Sequence, residues 1–554
     1  MRRTLLSILL CTLAFDAPAA APIDLPAGVP LSSGPVLQQP ASYATFTDRQ
    51  DGIWGVYQGE EPGAGLFAQH LLSDGSFASG FGEQAMPIAS RGTLVNGFSS
   101  TADGVGGAIV MWFGVNPADS TSPFLALRCQ HIDSQGIKLF PDTGIVVSSI
   151  ATAALVVSDG SGGAYVVWEE LKGVSNPDIV AQHYDAGGAP LWTPSGSPTG
   201  RNVCAVVGLQ RLRALHEDGA GGAYVVWADS RTPSTSPLYA MRLTPSGVAG
   251  APWTTNGVRV SPVTSGIRIV GSAPSPSGGL WLAWRDINVA NQLNGQHVSD
   301  TGTFLWGTSA PILTTSSPVR VEFVPATAGD VFLTWTTAND VRCQRMSPTG
   351  TRLWIENLGR VLITPSTTPG VLHTFSDGAG GLRVLWSFDE VAQPDVNLSH
   401  FDGTGAPAAG ETAIGVSIAA TTAAELPVAL IDGSSGSRLV SWLTAGELRV
   451  RRLVAGTLGV GDGGATASVR MAPPAPNPSR TGQAPVLRFT VPAGPFRLAL
   501  YDASGRRVLE REGVGSGGPQ SLSLDAAAGL PPGVYSVRLQ SSRTTLRQRL
   551  VRVR

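Results

Sequence analysis

The residues with chemical potential gather just after a recurring apolar strand: Glu169 and Glu170, Asp229, Asp286, Asp389 and Glu390, with Arg231 and Arg285 close by in sequence. Paired carboxylates can serve glycoside cleavage, and clustered oxygens can hold calcium. Neither chemistry has a diagnostic spacing here, and solvated loop charges account for the same pattern. Glu169, Asp229, Arg231, Arg285 and Asp286 are therefore read as candidate ligand contacts, and no residue is assigned a catalytic role. These residues do not supply the arginine cluster with a tyrosine nucleophile that a sialidase-like enzyme needs.

Five of the seven histidines (His70, His131, His183, His297 and His400) hold one position of a recurring unit, which invites a ring of metal ligands. Equivalent positions in neighbouring packed sheets are about 10 Å apart, whereas zinc ligands approach to about 2 Å. One metal cannot gather them. Arg242, Arg345 and Arg452 fill the same position elsewhere, so it reads as a structural polar position, and no metal site is expected. Cys129 and Cys343 stand where other copies carry Ala68, Ala181 and Ala240, which makes them small buried side chains. Cys204 sits alone in a strand, and these cysteines make no disulfide framework. Gly513 to Gly518 matches G-x-G-x-x-G, but no helix pattern follows, so no nucleotide cofactor is implied. No other feature of the sequence names a cofactor.

The unit that positions these residues is a tight turn followed by a strand. Asp159 to Trp168 (DGSGGAYVVW) and Asp218 to Trp227 (DGAGGAYVVW) are nearly identical, with close copies at Asp103 to Trp112 and Asp377 to Trp386. Asp-Gly and Gly-Gly supply the positive φ of a hairpin turn. The β-branched and aromatic run that follows lacks polar alternation, as in a strand covered on both faces. Aligned on the aromatics Tyr57, Trp112, Trp168, Trp227, Trp284, Trp335, Trp386 and Trp442, there are eight copies spaced 55, 56, 59, 57, 51, 51 and 56 residues apart. Each adds a second element such as Ile179-Val-Ala-Gln-His183, then in several a turn such as Asp185 to Trp192, then a last short strand. Four-stranded units of this period stack radially as propeller blades. The expected fold is therefore all-β: an eight-bladed β-propeller over residues 34–460, followed by a small antiparallel β-sandwich. Copy eight lacks its last strand, and residues 34–40 are expected to supply it.

The pattern around Trp227-Ala-Asp-Ser-Arg231 and Gln182 to Trp192 resembles the propeller repeats of large secreted bacterial surface proteins. The D-x-x-G-x-x-L-W turn is similar to the tryptophan-docking turn of quinoprotein-type eight-bladed propellers, although the adjacent cysteine pair of the quinone-binding kind is missing. From about Ala472 the motif set changes. Pro476-Asn-Pro478, Tyr501-Asp-Ala-Ser-Gly-Arg-Arg-Val508, Leu530-Pro-Pro-Gly-Val-Tyr-Ser-Val-Arg-Leu539 and a basic last strand together resemble the C-terminal sorting domain of the type IX secretion system. A flagellar-hook-type Ig-like module shares several of these elements and stays open as an alternative. The organisation implied is a signal peptide at 1–19, propeller at 34–460, linker at 461–478 and Ig-like sorting domain at 479–554.

Charge and hydropathy agree with export. The formal net charge is −2, but residues 470–554 hold thirteen Arg against four acids, a balance of +9 that leaves −11 for the rest. An acidic body does not suit nucleic-acid binding, which needs clustered Lys and Arg. Met1-Arg-Arg, the apolar run after it and Ala17-Pro-Ala19 form a secretory signal pattern, and no later stretch reaches the roughly 18 apolar residues of a membrane span. The expected protein is a secreted or cell-surface, non-catalytic binding or adhesion module. Its partners would be the secretion machinery, through the C-terminal domain, and an extracellular glycan or protein ligand. The alternatives are a polysaccharide hydrolase or lyase of the propeller type, and a structural surface protein. The variable second and fourth connections of each copy open on one side, so any ligand is expected there.

Overall fold

The computed structural model describes residues 29–453 and 470–553, leaving out 33–42, 116–125, 389–395 and shorter loop segments. It forms two compact units, Met1–Gly459 and Val460–Arg554. The segments expected as signal peptide, and all of the linker but Arg470–Met471, lie outside the described residues. So do Asp389 and Glu390.

Eight four-stranded antiparallel sheets make up the first unit. Sheet three is representative, with strands Ala151–Ser158, Ala164–Leu171, Pro177–Tyr184 and Arg201–Cys204 in sequence order. The key aromatic lies in the second strand of every sheet. Trp112, Trp168, Trp227, Trp284, Trp335, Trp386 and Trp442 are fully buried, and Tyr57 takes the same place in sheet one. The strand Ala164–Leu171 is buried along all but its last residue, because sheets pack on both of its faces. The first strands pack one against the next, from Tyr43–Thr47 in sheet one to Glu425–Asp432 in sheet eight, and the latter packs against Tyr43–Thr47. Among the described residues there is no α-helix, only a 3-10 turn at Thr327–Gly329.

Sheet eight does borrow its fourth strand from the N-terminal region; the expected segment 34–40 lies outside the described residues. The added strand is Val29–Pro30, with Val29 opposite Val450 and Pro30 opposite Arg449. Leu31 then donates its N–H to the Leu448 carbonyl at 2.7 Å and is fully buried with Ile53, Tyr57, Leu443 and Leu448. Proline is tolerated because this strand is an edge, where one N–H has no ladder partner. Burial of Leu31 holds this short strand in place.

The repeat owes its sequence to one turn. The Asp159 carboxylate accepts the Ser161 and Gly163 N–H groups through Oδ1 at 2.7 and 2.9 Å, and His183 Nε2 lies 2.9 Å from Oδ2. The same arrangement recurs at Asp48 with His70, Asp103 with His131, and Asp377 with His400, while Arg242 replaces histidine at Asp218. Gly160 and Gly162 have positive φ, as expected. The last glycine of the motif does not: a Cβ on Gly163 would fall 2.4 Å from both Asp159 Oδ2 and the Tyr184 carbonyl oxygen. It is required for space rather than for its dihedral.

A second device links successive sheets. Gln182 accepts the N–H groups of His183 and Trp192 and donates to the Trp192 and Thr199 carbonyls, which pins the turn carrying Trp192. Trp192 Nε1 then donates to the Pro245 carbonyl of the next sheet at 2.7 Å, and its ring covers Gly247, where a Cβ would lie 2.6 Å away. Trp253 repeats this against Asp300 and Gly302, and Trp306 and Trp354 cover Gly350 and Gly405.

The second unit has a three-stranded sheet and a five-stranded sheet around Leu487, Phe489, Leu498, Leu500, Val537, Leu539 and Leu550. It is not wholly antiparallel: Ser479–Arg480 pairs in parallel with the last strand, Thr544–Val553. Arg470–Met471, placed by sequence in the linker, pairs with Val486–Thr490. Gly513 lies in a strand under the Phe496 ring, 2.6 Å from where its Cβ would be.

Leu31→Ala removes a fully buried side chain at the junction of sheets one and eight and is expected to cost about 2–4 kcal/mol. Gly163→Ala forces the Asp159 turn apart and is expected to cost about 1–3 kcal/mol. Both are checked by denaturant unfolding of the purified chain. Unchanged midpoints would mean that neither contact contributes as described.

Candidate functional site

Among the described residues, the acids singled out by sequence, Glu169, Glu170, Asp229 and Asp286, do not form one cluster. Asp229 is fully buried at the end of Ala223–Asp229. Its Oδ2 accepts Trp227 Nε1 at 2.9 Å and Arg231 Nη2 at 2.6 Å, and its Oδ1 accepts the Arg231 N–H. Burial pushes this carboxyl up, but the bonds from Arg231 and Trp227 outweigh it and hold it below the ordinary carboxylate range. Glu170 plays the same part for Trp168, with Ser197 as its second donor. In these two sheets an acid two residues after the key tryptophan satisfies the indole N–H. Arg231 continues over the Tyr239 ring at 3.9 Å and donates to the Asn256 carbonyl, so its charge is turned inward.

Glu169 is also buried, and it joins sheet three to sheet four: Oε1 accepts the Leu212 N–H and Oε2 accepts Arg211 Nη1, each at 2.7 Å. Asp286 caps its own turn through the Asn288 N–H at 3.0 Å. Cys204 lies 3.5 Å from Asp229, and burial pushes its thiol up to about 12. Among the described residues no group of three or more His, Cys, Asp or Glu side chains gathers as metal ligands would.

Arg285 is the exception. It faces an open cleft of about 600 Å³ between sheets four and five, together with Arg213 and Arg268. Ala228, Leu238, Ile267, Ile269, Val270 and Ile287 supply its apolar lining. Arg213 lies on Gln210–Glu217, at a bulge where the register shifts between Leu212 and Ala214. Arg268 and Arg285 stand directly opposite each other on Ile267–Pro274 and Leu280–Asp286. Burial lowers the Arg213 pKa; Glu169 opposes that shift, and Arg211 and Arg268 add to it. An arginine cluster therefore does exist, although no tyrosine lines it. Sequence reasoning missed Arg213 and Arg268 because they lie on first strands, outside the motif. The polar alternation of Gln210-Arg-Leu-Arg213 was the available signal.

The cleft opens on the side expected for a ligand, since Gly266 belongs to a fourth connection and Ser236 and Ile287 to second connections. Deeper between sheets five, six and seven, Arg320, Glu322 and His373 line a second recess of about 410 Å³. Arg320 Nη2 is 2.7 Å and His373 Nδ1 3.4 Å from Glu322 Oε1, and the Thr374 N–H donates to Oε2 at 2.6 Å. Burial raises the Glu322 pKa, but His373 and Arg320 more than offset it, so the carboxyl stays below its ordinary range. His216 is hydrogen-bonded to Ser272 across sheets four and five at 2.9 Å, and burial lowers its pKa to about 4.

No protein-family model and no curated protein matches this chain. Solved structures do. An ulvan lyase from a new polysaccharide lyase family is 13% identical with a TM-score of 0.33, over 77% of this chain and 93% of that one. PorZ, a surface component of the type IX secretion system of Porphyromonas gingivalis, is 11% identical with a TM-score of 0.21, over 95% of this chain and all of that one. Regucalcin, a calcium-binding protein from Agrobacterium tumefaciens, is 13% identical with a TM-score of 0.27, over 54% and 83%. No helix among the described residues is long and apolar enough to cross a membrane.

Acidification should weaken the fold in two stages. His216 has a lowered folded pKa, so the unfolded chain binds its proton first; its contribution is complete above about pH 6.5 and is lost toward about pH 4. Asp103, Asp229 and Asp377 are also lowered, so their contribution is present above the ordinary carboxylate pKa and is lost below about pH 3.9. Thermal unfolding from pH 7.5 downward, with His216→Gln as control, checks this. The first stage should shrink in the variant and the second remain.

Proposed function

We propose that the first unit closes as an eight-bladed β-propeller and acts as a non-catalytic binding or adhesion module, exported through the C-terminal unit and displayed at the outer cell surface. One observation carries the binding role: the cleft on the loop side is lined by three arginines and apolar side chains, with no carboxylate among its described lining residues. Arginine in such a setting holds a ligand through its fixed fork of donors, whereas glycoside cleavage by the common route needs two carboxyl groups across the bond. Closure is supported by the run of first-strand contacts that returns from sheet eight to sheet one and by the strand borrowed at Val29–Pro30.

A second reading, a polysaccharide hydrolase or lyase, draws support from the Arg320, Glu322 and His373 recess. Glu322 is engaged by Arg320, His373 and the Thr374 N–H, and it is the one carboxylate among the recess's described lining residues, short of the pair that common glycoside cleavage uses, so the binding reading is preferred. The partners proposed are an extracellular glycan or protein on the loop side and the secretion machinery on the C-terminal unit. Export rests on the basic charge and ordered motifs of residues 470–554.

Incubating the chain with acidic and neutral polysaccharides, while following binding and new reducing ends or unsaturated products, separates the readings. Binding without product is expected; sustained turnover abolished by Glu322→Gln would establish the enzyme instead. Truncation after Gly459 is expected to leave a folded first unit in the periplasm. Normal surface display of the truncated chain would refute the sorting role and leave the Ig-like module.

A further inference from the structure

Most arginines near the cleft are neutralised at close range: Arg211 by Glu169, Arg231 by Asp229 and Arg242 by Asp218. Arg213, Arg268 and Arg285 are different. Among the described residues none of the three has a carboxylate partner, and Arg285 Nε is buried with no hydrogen bond. Like charges directly opposite on paired strands repel, and that is how Arg268 and Arg285 stand. The third guanidinium comes from the adjoining sheet, on a strand whose bulge re-aims side chains locally. Three positive groups from three strands thus meet in one open cleft whose remaining lining is mostly apolar.

We infer that this cleft is an oxyanion site, in which Arg268 and Arg285 together hold one carboxylate or sulfate group and Arg213 holds a second on the same ligand. This deepens the binding reading above and rests on it. Guanidinium forks match planar carboxylates and the oxygen edges of sulfates with two parallel hydrogen bonds. A ligand with repeated anionic groups would relieve the repulsion among the three arginines, and an uncharged ligand would not. The cleft volume of about 600 Å³ fits an organic ligand of moderate size. The anion can come from an acidic saccharide chain or from a small polycarboxylate, and the two are separable by experiment.

The full chain is titrated calorimetrically with oligogalacturonate, with citrate and with neutral cello-oligosaccharide, at low and high salt. Saturable binding of oligogalacturonate that Arg268→Ala or Arg285→Ala weakens at least tenfold, and that Arg213→Ala weakens several-fold, is the expected result. Arg268→Lys keeps the charge but not the fork, and should recover only part of the loss. Binding of citrate alone would assign the site to small polycarboxylates. Anion binding unchanged in the triple alanine variant, or absent for every anion tested, overturns the inference. Neutral-saccharide binding that survives the triple variant would leave the binding module standing while removing this site; anion-dependent turnover lost in the triple variant would keep the site and remove the non-catalytic reading. Circular dichroism of each variant guards against misfolding, which the exposure of Arg213 and Arg268 makes a small risk.

Discussion

A buried carboxylate cannot be left alone, and the first unit is built around that constraint. Taking an ionised group out of water costs several kcal/mol unless donors replace the lost hydration. Asp48, Asp103, Asp159, Asp218 and Asp377 each receive two backbone N–H bonds from their own turn and one bond from a histidine or arginine two strands along. The turn is thereby fixed, and with it the register of the second and third strands. Sheet five has Ser275 in place of the acid, and its hydroxyl is bonded to Ser277 instead. There His297 has no carboxylate, and burial lowers its pKa against the pull of the Gly278 and Pro348 carbonyls. Four of the five histidines thus serve one polar fastening used repeatedly.

The tryptophans divide between two tasks that composition alone does not separate. Those of the second strands fill the sheets, and several turn their indole N–H to a nearby acid or hydroxyl, as Trp168 does to Glu170, Trp227 to Asp229 and Trp386 to Ser399. Those of the later turns, such as Trp192 and Trp253, cross to the next sheet and lie over a glycine. Trp192, Trp306 and Trp354 need Gly247, Gly350 and Gly405 to be bare, so each pair is coupled across about fifty positions of sequence. Sheet packing of this kind leaves little freedom inside the unit, and places the variable connections on a fixed support.

Against this background the arginines sort by partner rather than by position. Arg231, chosen by sequence as a ligand contact, is engaged with Asp229, Tyr239 and Asn256, while Arg285, three residues from being its repeat equivalent, faces open space. The acids just after the key strand follow the same logic: Glu169, Glu170 and Asp229 are hydrogen-bond acceptors for the fold.

Much of the fold was legible from the chain itself, because turns and buried strands are local. The DGxGG motif, the apolar run behind it and the seven spacings predicted eight copies of a four-stranded unit, and eight four-stranded sheets are present. The borrowed strand was legible in kind but not in place, since Val29–Pro30 carries no strand pattern and is held by the burial of Leu31 beside it. Sequence likewise marked Arg285 but could not tell it from Arg231: which arginine is neutralised depends on carboxylates brought near by folding. Arg213 and Arg268 belong to strands of different sheets, 55 residues apart in the chain. Only the packing of sheet four on sheet five makes one cleft of them, because charge proximity between separate strands is a property of the tertiary structure.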